Sequence, residues 1–142
     1  MNRKLKLSVL VLAAIVLPLL GACGGGAPAN PGLINVTVET YKITLSANST
    51  PAGKVTFHIT NKASDQVHEL VVIQTDLAAD KLPLDADGNV DEDKITGMGE
   101  VEDVAIGASV DLALDLPAGH YVLICNIATH YHEGMHVDFT VK

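Results

Sequence analysis

Beyond residue 33 the apolar residues recur at every second position, and helical spacing is scarce, so the chain predicts half-buried strands. Ile34, Val36 and Val38 alternate with polar neighbours. Tyr41, Ile43 and Leu45 continue in the opposite phase, which predicts a bulge or a strand crossing between two sheets. Val55, Phe57 and Ile59 form another strand, with Lys54, Thr56, His58 and Thr60 on its wet face. Val67 to Gln74 is apolar on both faces except at His68 and Glu69. Val110, Leu112, Leu114 and Leu116 alternate with Asp111, Ala113 and Asp115. The turn Pro117-Ala118-Gly119 then leads to Tyr121, Leu123 and Cys125 on one face, and Met135, Val137, Phe139 and Val141 close the chain. About seven or eight short strands separated by turn residues predict an all-β, Greek-key antiparallel β-sandwich of about a hundred residues.

The stretch from Thr75 to Gly99 interrupts this rhythm and predicts a long loop with a short helix near Leu77 to Lys81. Within it, Asp85-Ala86-Asp87-Gly88-Asn89-Val90-Asp91 has the look of a calcium loop. The spacing fails, because glycine comes too early and Thr96 stands where the closing glutamate belongs, so a solvated acidic loop is expected.

The first third of the chain follows a different pattern. Arg3, Lys4 and Lys6 precede an uncharged apolar run from Leu7 to Leu20, the layout of a secretory signal. The run falls short of the roughly 18 residues a spanning helix needs, and Gly24-Gly25-Gly26 follows it. Leu20-Gly21-Ala22-Cys23 resembles the lipobox of bacterial lipoproteins, which implies cleavage after residue 22 and acylation of Cys23. The expected organisation is a signal peptide over residues 1–22, a lipidated Cys23 with a Gly/Pro tether to residue 32, and one domain over residues 33–142. Such a protein is anchored in the cell membrane and faces the periplasm or the extracellular side.

Removal of residues 1–22 leaves six Lys and Arg against 17 Asp and Glu, a net charge of about −11. Nucleic acid and anionic lipid surfaces are poor partners for such a chain, and a basic protein surface is a better one. The chain has only two cysteines. With Cys23 on lipid, Cys125 has no disulfide partner in an oxidising compartment and needs another explanation.

The neighbours of Cys125 supply one. The C-terminal segment runs Cys125-Asn-Ile-Ala-Thr-His130-Tyr-His-Glu-Gly-Met135. Cysteine ends one strand and methionine opens the next, so the connection brings Cys125, His130 and Met135 to one end of the sandwich. A lone Cys or Met is ordinarily packing, but here a histidine is spaced between them. His68, in phase with Leu70 and Val72, suits the role of fourth donor. A thiolate, two imidazoles and a thioether form a soft three-plus-one set that suits one copper ion with a weak axial methionine. Zinc sites rarely use methionine, and a binuclear copper centre would need a second cysteine in this loop. His58 points outward beside Thr56 and Thr60, His132 lies too close to Met135, and His120 and His136 are expected near the surface.

The segment resembles the copper loop of cupredoxins, especially plastocyanin, azurin and auracyanin-like proteins. The resemblance extends from the His68-Glu-Leu-Val-Val strand through Gly119-His-Tyr-Val-Leu-Ile-Cys125 to Met135-His-Val-Asp-Phe-Thr-Val141. It implies a type 1 (blue) copper site with equatorial ligands His68, Cys125 and His130 and axial Met135. It also implies a sandwich corner at Tyr121 and an electron port at the exposed edge of His130. Two residues depart from the pattern: Glu69 replaces the small polar residue that steadies the thiolate, and Val67 replaces the glycine whose carbonyl approaches the metal in azurins.

Three functions compete. An electron carrier would exchange electrons with a redox protein bearing a basic docking surface, such as a cytochrome or a membrane oxidase subunit. A copper store or chaperone would deliver copper to an oxidase, but only Met98 and Met135 remain as methionine donors after processing. An enzyme would be a cysteine hydrolase, which needs a local base and an orienting group beside Cys125 that no motif supplies, or a copper oxidoreductase, which adds further copper ligands in a longer chain. Electron transfer without enzymatic turnover uses every feature.

Overall fold

The computed structural model describes residues 32–142, so the signal segment and Cys23 lie outside the described residues. The alternating segments form β1 (Leu33–Glu39), β2 (Lys42–Leu45), β3 (Ser49–Thr50), β4 (Gly53–Asn61) and β5 (His68–Gln74). A short 3-10 turn at Glu92–Lys94 precedes β6 (Thr96–Val104), β7 (Ser109–Leu116), β8 (Gly119–Ile124) and β9 (His136–Val141). Two sheets face each other, with orders β2-β1-β4-β7 and β3-β9-β8-β5-β6.

The expected sandwich is present, and its sheets are mixed. β1 and β4 are parallel, as are β3 and β9, while the other pairings are antiparallel. The chain leaves the first sheet after β2, touches the second through β3, and returns to place β4 beside β1 in the same direction. Alternation alone is blind to this, because it reports which face is buried and not which way a neighbour runs. The phase reversal at Tyr41 is a two-residue turn, Thr40-Tyr41, rather than a bulge or a crossing. Val38 pairs with Ile43 and Val36 with Leu45, so both sets reach the same face.

The sandwich core contains Val36, Val38, Val55, Phe57, Ile59, Leu70, Val72, Tyr121, Leu123 and Phe139, all essentially without solvent contact. Phe57 and Phe139 meet edge to face at 5.5 Å across the two layers. The Tyr121 hydroxyl donates to the Pro117 carbonyl at 2.7 Å, which pins the corner where β7 turns into β8.

β5 and β8 are apolar on both faces because each packs twice. Their outer residues Val71, Ile73, Val122 and Ile124 lie in a second cluster with Ala79, Leu82, Val90 and Tyr131. The excursion over residues 75–95 covers that outer face. The expected helix near Leu77 to Lys81 is a single turn, closed by the Lys81 N–H on the Ala78 carbonyl. The acidic segment is a tight turn in which the Asp85 carboxylate accepts the N–H groups of Asp87 and Asn89. β6 occupies residues expected to be loop at its start. It packs closely over β7, since a side chain at Gly99 would reach within 2.6 Å of the Leu114 methyl.

Candidate metal centre

His68, Cys125, His130 and Met135 converge at one end of the sandwich core. His68 opens β5, and its inward direction follows from its phase with Leu70 and Val72, two and four residues on. Opposite it β6 is bulged: three residues of β5, from His68 to Leu70, face four of β6, from Val104 to Val101, and Asp103 takes a φ of 50°. Cys125 follows β8 directly, in phase with Tyr121 and Leu123 in the core. β5, β8 and β9 are neighbours in one sheet, so the donors hang from adjacent strands.

The connection from Cys125 to Met135 is wound on its own backbone. The Cys125 N–H donates to the Met135 carbonyl at 3.1 Å, the Met135 N–H to the His130 carbonyl at 3.0 Å, and the His130 N–H to Ile127 at 2.9 Å. Tyr131 leaves this loop sideways. Its hydroxyl donates to the Ala79 carbonyl at 2.7 Å and accepts the Leu82 N–H at 3.1 Å. Asn126 binds the Val90 backbone from both ends of its amide and reaches Glu92. The loop is thereby fastened to the 75–95 excursion.

One ligand atom from each of His68, Cys125 and His130 lies within 4.8 Å of the others. The Cys125 Sγ is 3.2 Å from His130 Nδ1 and 3.8 Å from His68 Nδ1. Cys125, His68 and Met135 are 0% exposed and His130 is 5% exposed. Desolvation pushes both imidazoles below their ordinary range, and the neighbouring His130 ring depresses His68 further. Burial pushes the Cys125 thiol up to about 11, against the pull of the Glu69 and Ile127 backbone N–H groups. Two neutral imidazoles around a buried thiol are poorly served by protons alone. A soft cation that takes the thiol's place as a thiolate answers the whole set, so the residues fit copper.

The Glu69 departure acquires a meaning. Its backbone N–H points at the Cys125 Sγ at 3.5 Å, and its carboxylate accepts the Asn126 N–H at 2.7 Å. The side chain that steadies the thiolate in relatives is replaced by one that clamps the residue after the cysteine. Desolvation raises this carboxyl above its ordinary value.

The other histidines fall outside the centre. His58 pairs with Asp111 across the strands at 2.6 Å, and His132 is exposed. His136 lies against Tyr131 at 5.1 Å. His120 is more than a surface residue: Nδ1 lies 2.6 Å from the Thr75 carbonyl and Nε2 3.0 Å from Asp138. His130 is 5% exposed, and the Tyr41 ring stands beside it edge to face at 5.5 Å and 81°.

A family model of the sulfocyanin (SoxE) domain matches residues 33–142. The chain belongs to the sulfocyanin family. Sulfocyanins are cupredoxins, and the family together with the His68-Cys125-His130 group and nearby Met135 defines a site for one type 1 copper ion. Solved cupredoxins share the sulfocyanin fold seen here. Dithionite-reduced auracyanin from Roseiflexus castenholzii is 18% identical, with a TM-score of 0.60 over 80% of this chain and 99% of that one. Auracyanin B is 20% identical, with a TM-score of 0.56 over 82% and 93%. Rusticyanin from Thiobacillus ferrooxidans is 15% identical, with a TM-score of 0.54 over 80% and 79%. At such identities the likeness is one of fold. No curated protein sequence matches the chain.

Proposed function

We propose that this sulfocyanin-family chain is a one-electron carrier, held on the extracytoplasmic face of a membrane through lipid on Cys23, with no catalytic turnover of its own. The observation that carries the reading is the convergence of three buried donor atoms within 4.8 Å, His68 from β5 and Cys125 and His130 from a hydrogen-bonded loop. Copper bound there supplies a couple between Cu(II) and Cu(I), which prefer different geometries. The chain's part is to hold the donors still. Cys125 and His130 are fixed by the loop's internal bonds and His68 by the pairing of β5 with β6 and by burial of its ring, with Met135 assigned as the weak axial donor. Burial keeps water from the set, so little has to rearrange when the charge changes.

The same burial argues against a store or chaperone. Handing on a metal requires donors that a partner's ligands can reach, and these are 0–5% exposed. The acidic surface and the anchor favour a basic redox protein in the same membrane as partner.

Added Cu(II) is expected to give an intense blue thiolate band and narrow copper hyperfine splitting, both lost in Cys125→Ser. A colourless wild-type protein rejects the type 1 assignment. Mass spectrometry of the mature N-terminus tests the anchor: an acylated Cys23 supports it, and an intact leader or an unmodified cysteine rejects it.

A further inference from the structure

Tyr41 is the second residue of the β1–β2 turn and holds a φ of 58°, in the left-handed region that a side chain of this size rarely enters. A strained residue of this kind persists where its surroundings impose it, and it points toward a role. The turn is tied on both sides. The Thr40 hydroxyl donates to Asp65 at 3.1 Å, and the Lys62 N–H donates to the Val38 carbonyl at 2.8 Å. The ring so placed is 41% exposed and meets the His130 ring edge to face at 5.5 Å, and His130 itself is 5% exposed.

We infer that Tyr41 is a fixed partial cover beside His130, and that it sets how closely a redox reagent can approach the copper ligand. A reagent arriving at this pole meets the exposed phenol ring beside the narrow imidazole edge that the resemblance to other cupredoxins implies as the electron port. The inference rests on the electron-carrier reading. It assigns Tyr41 to specificity in electron exchange, since a small reagent excluded by the ring and a protein that packs against it are treated differently.

The test compares Tyr41→Asn with Tyr41→Phe. Asparagine tolerates the left-handed region, so the turn is kept while the ring is lost; phenylalanine keeps the ring. In the copper-loaded protein, stopped flow follows reduction by hexaammineruthenium(II). Ruthenium passes from +2 to +3 as copper passes from +2 to +1, no bond forms or breaks, and Tyr41 gives up neither electron nor proton. Tyr41→Asn is expected to react several-fold faster than wild type, and Tyr41→Phe at the wild-type rate. In the copper-free protein, a soluble gadolinium chelate is expected to broaden the His130 ring protons strongly in Tyr41→Asn and weakly in the other two. Unchanged reduction and unchanged broadening in Tyr41→Asn overturn the cover, as does a Tyr41→Phe protein that behaves like Tyr41→Asn. Failure of the blue band in wild type would reject the carrier reading instead, and the relaxation measurement still decides whether Tyr41 shields His130.

Discussion

Cys125 is a thiol that its surroundings hold in the protonated form until a metal arrives. In the copper-free protein, burial moves its titration from 9 to about 11 and moves those of His68 and His130 below 6.5. The signs follow from which state binds more protons. As pH falls through 6.5, the unfolded chain protonates both histidines before the folded chain does, so stability declines with acidification. As pH rises from 9 to about 11, the unfolded thiol loses its proton first, and stability declines by on the order of 3 kcal/mol. Glu69 acts oppositely: its raised carboxyl contributes fully below 4.5 and loses that contribution as pH rises, which softens the acid limb. Urea midpoints of the copper-free protein are therefore expected to form a dome with its top between 6.5 and 9. A midpoint that climbs steadily to pH 11 would contradict the burial of the thiol. Copper binding is expected to weaken on acidification, because protons compete for the same donor atoms.

At the scale of elements, the metal loop and the 75–95 excursion act as one body through Tyr131 and Asn126. Tyr131→Phe keeps the ring but leaves the buried Leu82 N–H and Ala79 carbonyl unpaired, at a cost of about 1–3 kcal/mol. Urea denaturation should register that loss, with faster hydrogen exchange at the Leu82 amide. An unchanged midpoint would show that the hydroxyl only decorates the contact. The same pairs show where the sequence could be read and where it could not. The donors were legible because soft side chains stood at fixed spacing on strands whose alternation was clear. β6 was not, since Thr96-Gly-Met-Gly-Glu-Val-Glu-Asp-Val104 is an edge strand rich in glycine and acid whose place is set by β5 and β7. The fastening of His120 between Thr75 and Asp138, and the cover over His130, join residues far apart in the chain. No local pattern announces such contacts. The apolar run over Val71 to Ile73 signalled burial on two sides, but the loop that provides the second side gave no periodic signal of its own.

At the scale of the whole molecule, charge and layering govern encounters. With about −11 charges on the processed chain, electron exchange with a basic redox protein is expected to slow as salt rises, since exposed charges are screened within about 8 Å at physiological ionic strength. Stopped-flow rates across a range of ionic strength measure this, and a rate indifferent to salt would remove charge steering from the account. The donors sit on β5 and on the connection between β8 and β9, in one layer, whereas Tyr41 rises from the β1–β2 turn of the opposite layer. The machinery that retains the ion and the feature that screens visitors are thus written in separate stretches of sequence. Drift or grafting confined to residues 39–42 could retune which molecules the protein trades electrons with, while the colour of the centre stays the same.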